Sequence, residues 1–79
     1  MTVDEALAML AEAFNEPVEN LAPDVARASV PGWDSMGALM LIAEIDERFG
    51  LELAAEESRA MKQVSDVLAY LQRHGLLAQ

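Results

Sequence analysis

The chain has 79 residues, 53% of them apolar, with five Lys and Arg against fourteen Asp and Glu and a formal net charge of −9. That length holds one small domain, expected to span residues 1–79, with a core that is compact rather than deep. The charge argues against nucleic acid as a partner, because phosphate binding needs clustered cations, and the absence of Cys removes disulfides, thiol catalysis and thiolate metal sites together.

The single His, His74, rules out a multi-His metal site and argues against a Ser-His-Asp device. Cysteine usage fits a reducing, cytoplasmic compartment. The longest apolar run, Met36 to Ala43, falls far short of the ~18–20 residues of a membrane span. Met1-Thr2-Val3-Asp4-Glu5 has no basic segment and is not a signal peptide. Beginning at Met1 with no flanking linker, the chain reads as a free-standing monomer.

β-Branched residues are few, and Ala, Leu, Met and Glu are plentiful, which favours helix over strand. Val3, Leu7, Leu10 and Phe14 recur at helical spacing, Thr2 with Glu5 forms a capping-box pattern, and Asn15 and Pro17 end this first helix. Residues 15–33 hold all three prolines and have no helical period, so they read as a long loop with a short turn around Glu19–Leu21. So long a loop is tenable only if Val18, Leu21, Val25 and Val30 pack back onto the helices.

A second helix is predicted from Asp34–Ser35 to Phe49, with Met36, Leu39, Leu41, Ile42, Ile45 and Phe49 as its apolar stripe and Gly50 as its C-cap. Residues 54–61 form one or two short turns without a strong N-cap. A last helix covers Val64–Arg73, with Val64, Val67, Leu68 and Leu71 inward and Gly75 stopping it. The expected fold is all-α: a small antiparallel four-helix bundle, three helices long and one short, with a long loop before the second.

The most informative segment is Val30-Pro31-Gly32-Trp33-Asp34-Ser35-Met36. If Asp34 is the N-cap, Ser35 stands at the first helical position with its hydroxyl in solvent; if Ser35 is the cap, its oxygen accepts from a backbone N–H. A serine there is commonly only a cap, and the chain is then an acidic helical interaction module. A phosphodiester on Ser35 would nevertheless sit at the positive end of the helix dipole, beside N–H groups lacking internal partners. Another enzyme would have to place it, because no neighbouring base activates Ser35. Trp33 reads as a loop anchor, and His74 as a residue near the end of the last helix. The strip from Glu44 to Glu57 has six acids and one base and is a candidate docking face for basic partners.

Gly32-Trp33-Asp34-Ser35-Met36, followed by Leu39, Leu41, Ile45 and Asp46-Glu47-Arg48-Phe49-Gly50-Leu51-Glu52-Leu53, closely resembles acyl carrier proteins. Leu21-Ala22-Pro23-Asp24 is similar to the family's loop signature, and Val64 through Leu71 to its last helix. The resemblance implies that Ser35 carries 4′-phosphopantetheine, taken from coenzyme A, whose terminal thiol holds a carboxylic acid as a thioester. The chain itself is then not an enzyme. The resemblance also implies a phosphopantetheinyl transferase, an acyl- or aminoacyl-loading ligase, and basic-surfaced enzymes of fatty-acid, polyketide or other specialised biosynthesis as partners. The docking residues it implies are Asp34, Met36, Met40, Ala43, Asp46, Glu47 and Met61. Gly37 and Met40 stand where carriers of fatty-acid synthesis usually have acids. Asp34-Ser35-Met36-Gly37 also resembles D-alanyl carrier proteins, so an aminoacyl cargo stays open.

Overall fold

The computed structural model describes residues 1–78. Its first helix, α1 (Val3–Phe14), starts on the expected capping box: the Thr2 hydroxyl accepts from Glu5 N–H, and the Glu5 carboxylate accepts from Thr2 N–H at 2.8 Å. That backbone donor, with the Thr2 hydroxyl and the N-terminal ammonium adding to it, holds the Glu5 carboxyl below its ordinary pKa. Asn15 ends α1 in the left-handed conformation, with its N–H returning to the carbonyls of Ala11 and Glu12. Then follow α2 (Ser35–Phe49), stopped by a left-handed Gly50, the short α3 (Ala55–Ala60) and α4 (Val64–Arg73). No strand occurs among the described residues. No helix among them is long and apolar enough to cross a membrane. The all-α bundle is as expected.

The core differs in detail from the predicted stripes. In α1 the deepest side chains are Ala6, Met9, Leu10, Ala13 and Phe14, whereas Val3 and Leu7 are only half-buried. In α2 only Gly37, Leu41 and Ile45 are fully buried; Ile42 and Phe49 pack at the edge. Met36 and Leu39, expected inward, are exposed at 66% and 59%. A helix this close to a small core can bury only one narrow stripe, and Leu41 and Ile45 take it. All four residues predicted inward on α4 are buried, joined by Tyr70. Burial raises the pKa of its phenol.

The long loop is held to the start of α4 by backbone hydrogen bonds. Val64 N–H donates to the Val25 carbonyl at 3.0 Å, Ser65 N–H to Pro23 at 2.8 Å, and Arg27 N–H to Lys62 at 2.8 Å. The loop thus satisfies the first donors of α4, which no helix satisfies internally. Gln63 and Asp66 close a capping box on the same end. Leu21 and Val30 pack into the core and Val25 beside it, but Val18 stays exposed on a single 3₁₀ turn, Val18–Asn20. A second such turn, Arg27–Ser29, replaces the irregular backbone expected around Ser29.

Two glycines set how α1, the loop and α2 meet. A Cβ on Gly32 would collide with the Phe14 carbonyl, and one on Gly37 with the Gly32 carbonyl. Gly37 is therefore a steric requirement. Gly37→Ala is expected to destabilise the protein by about 1–3 kcal/mol, the range for inserting a methyl into a packed backbone contact. Urea unfolding followed by circular dichroism checks this, and a midpoint equal to that of the wild type refutes the contact.

Candidate functional site

The residues ahead of Ser35 are pinned one by one. Trp33 is 3% exposed and stacks on Phe14, with ring centroids 4.8 Å apart and planes 16° from parallel. Its backbone N–H donates to the Val30 carbonyl at 2.9 Å, while the buried indole Nε1 has no partner among the described residues. Arg27 Nε donates to the Trp33 carbonyl at 3.2 Å, and its guanidinium lies 5.5 Å from the indole centroid. The Glu16 carboxylate accepts from Gly32 N–H at 3.0 Å. Trp33 is thus an anchor, as its composition suggested.

Asp34 then caps α2: its Oδ1 accepts from Gly37 N–H at 2.9 Å. This decides between the two arrangements left open by the sequence. Ser35 occupies the first helical position, its side chain takes no part in capping, and the residue is exposed. The N–H groups of Ser35 and Met36 have no hydrogen-bond partner among the described residues.

The other serines stand differently. Ser58 is 3% exposed and faces inward from α3. Ser29 closes a 3₁₀ turn. Ser65 lies in the first turn of α4, where its own N–H and that of Val64 already donate to loop carbonyls. Beside Ser35, a cleft of about 300 Å³ opens between α2 and α3, lined by Ala38, Leu39, Ile42, Ala55 and Ser58, with Arg27 and Arg59 at its sides.

Met36, Met40, Ala43 and Glu47 follow at helical spacing down one exposed face of α2, with Leu39 and Asp46 beside them. Four of the expected docking residues are thereby brought onto one surface, next to Asp34 and Ser35. Met61 is not among them. At 4% exposure it fills the core below α3, because the chain turns inward between α3 and α4. Leu39, read from the sequence as core, belongs to the exposed face instead. Its spacing of three from Met36 was the available signal.

No family model matches the chain. Individual proteins do. Acyl carrier proteins from Rickettsia bellii, Thermosynechococcus vestitus and Helicobacter pylori are 27%, 29% and 27% identical to it. The matches cover 89%, 87% and 92% of this chain and 86%, 85% and 94% of theirs. The chain is similar to these acyl carrier proteins over nearly its whole length.

In this relative of the acyl carrier proteins, the acidic strip is only partly available. Glu44 accepts from Arg48 Nε at 2.9 Å, and Arg48 also reaches Glu12 at 3.4 Å. The Arg48 guanidinium holds the Glu44 carboxyl below the usual carboxylate range. Glu57 pairs with Arg73 at 2.9 Å. Asp46, Glu47, Glu52 and Glu56 are exposed, with no cation paired to them among the described residues.

Unpaired like charge destabilises the compact state, and screening relieves it. Added magnesium at constant pH is therefore expected to raise the melting temperature. A flat or falling value in a calorimetric titration runs against that expectation.

Proposed function

We propose that the chain is a carrier bearing a 4′-phosphopantetheine arm on Ser35, on which an acyl or aminoacyl group is held as a thioester and offered to partner enzymes. The observation that carries this reading is Ser35 itself: an exposed hydroxyl at the first position of α2, behind an Asp cap, with two unpartnered N–H groups beside it. The similarity to acyl carrier proteins supports the carrier role in general terms.

The residues present fit the group. The Ser35 and Met36 N–H groups are placed to donate to a phosphate at the positive end of the α2 dipole. Asp34 spends its carboxylate on Gly37 N–H and so holds the helix start rather than the phosphate. The adjoining cleft offers apolar wall from Ala38, Leu39 and Ile42 for an arm lying against the protein. When bound, the group supplies the thiol that a chain without Cys lacks. No residue of the site is proposed to act as a catalyst.

The exposed face of Met36, Leu39, Met40 and Ala43, bounded by Asp46 and Glu47, suits partners that combine an apolar patch with basic side chains. Methionines adapt to differently shaped surfaces, which suits a protein handed from one enzyme to another. On this reading the partners are a phosphopantetheinyl transferase, an acyl- or aminoacyl-loading ligase, and biosynthetic enzymes that use the cargo.

Incubation with a phosphopantetheinyl transferase and coenzyme A, followed by intact mass measurement, tests the assignment. Wild type and Ser65→Ala are expected to gain one arm, and Ser35→Ala none. Because Asp34 is the cap, Ser35→Ala should change stability by no more than about 0.5 kcal/mol. A folded Ser35→Ala that still gains the arm overturns the site, and a wild-type chain that gains none leaves Ser35 a surface serine on an interaction module.

The same reaction reads the docking face. Asp46→Lys with Glu47→Lys is expected to slow loading at low salt by about tenfold, the low end of electrostatic steering. The difference should shrink as salt is raised. Equal rates at low and high salt remove these carboxylates from the docking surface.

A further inference from the structure

The chain has no Cys, so all of its sulfur lies in five methionines. The fold divides them sharply. Met9 and Met61 are 1% and 4% exposed and belong to the core, and Met1 is half-buried against it. Met36 and Met40 are 66% and 47% exposed. These two thioethers stand one turn apart on α2, the first directly after Ser35, with Leu39 exposed between them. Neither serves the core, since Leu41 and Ile45 fill the buried stripe of the helix.

A thioether differs from the side chain of Leu39 in one chemical respect: mild oxidants attack it. The sulfur lone pair forms a bond to one peroxide oxygen as the O–O bond breaks, and the other oxygen leaves as water. The thioether is thereby oxidised by two electrons to a sulfoxide and the peroxide is reduced. A flexible apolar side chain becomes a polar one with a strong acceptor oxygen. On a free surface the change matters little, because water solvates that oxygen. Against an apolar partner patch it is unfavourable, because the oxygen is then buried without a donor. The fold shields Met9 and Met61 from the same reagent, and Trp33 and Tyr70 are buried as well.

We propose that Met36 and Met40 form a peroxide-responsive modification site, whose conversion to sulfoxides weakens the docking of partner enzymes beside Ser35. This rests on the exposed face of α2 being the docking face of a carrier, as proposed above. A methionine sulfoxide reductase supplied with a dithiol reverses the change: the sulfoxide oxygen leaves as water, and the two thiols are oxidised to a disulfide. Both side chains lie outside the core, so the fold is the same in the two states. The modification acts on partner binding and leaves the Ser35 hydroxyl chemically unchanged.

The test uses the chain before its arm is attached, so that methionine is its only sulfur. Wild type and the double variant M36L/M40L are treated with dilute hydrogen peroxide, cleared of it with catalase, and mapped by peptide mass. Loading by a phosphopantetheinyl transferase with coenzyme A is then followed over a range of carrier concentrations. Each protein is compared with its own untreated sample. Oxygen is expected at Met36 and Met40 before Met9 and Met61. The kcat/KM of wild type for loading is expected to fall about tenfold, the low end of what burying an unpaired polar oxygen produces. The fall should lie in KM rather than kcat, with circular dichroism unchanged, and reductase with dithiothreitol should restore it. The treated-to-untreated ratio of M36L/M40L should stay near one. The proposal is overturned by oxidation of Met9 or Met61 first, or by an unchanged rate with sulfoxides at both exposed positions. An equal fall in M36L/M40L, or a loss of helical signal that accompanies the fall, overturns it too. Untreated wild type that gains no arm overturns the carrier reading itself, and this proposal with it.

Discussion

Three segments of backbone approach one another so closely that only glycine fits between them. Gly32 lies against the Phe14 carbonyl at the end of α1, and Gly37 lies against the Gly32 carbonyl one turn into α2. Neither glycine is needed for an unusual backbone angle; each is needed because there is no room for a Cβ. Once this contact is made, Trp33 can only pack over Phe14, Asp34 falls at the cap, and Ser35 emerges at the first turn of α2. The orientation of the site is thus a consequence of packing between main chains, some distance from any charged group.

The long loop is the second element that the site depends on. A segment of this length with little regular structure would ordinarily weaken so small a domain. Here it acts as the missing N-terminal partner of α4, since its carbonyls receive the Val64 and Ser65 N–H groups. The same arrangement separates the two serines that stand at helix starts. At α4 the donors are consumed by the loop, whereas at α2 the cap leaves those of Ser35 and Met36 pointing outward. Helix dipoles alone would not distinguish the two sites; the hydrogen-bond accounting does.

Helix boundaries were largely legible because their signals are local. Thr2 with Glu5, Asn15 with Pro17, and Gly50 each act through their immediate neighbours, and each does what its residue type suggests. Burial was less legible, since it depends on how much core the rest of the chain provides. Leu39 has the period of a core residue yet is exposed, and Met61, a docking residue only by the resemblance, is buried. Gly37 was visible only as an oddity, because its reason is the carbonyl of a residue in a different segment. The position of Ser35 could be narrowed to two arrangements, and choosing between them required knowing which side chain reaches Gly37 N–H.

Trp33 has a consequence for how the protein can be observed. It is the chain's one indole, buried on a phenyl ring, overlaid by a guanidinium, and two residues ahead of Ser35. Such an indole emits at short wavelength while it stays packed, and its intensity depends on the ring and the cation touching it. Whatever draws Arg27 away, or loosens the turn that leads into α2, alters that light. The chain therefore carries an intrinsic fluorescent reporter of its own site, with no label to attach and no second tryptophan to confuse the signal.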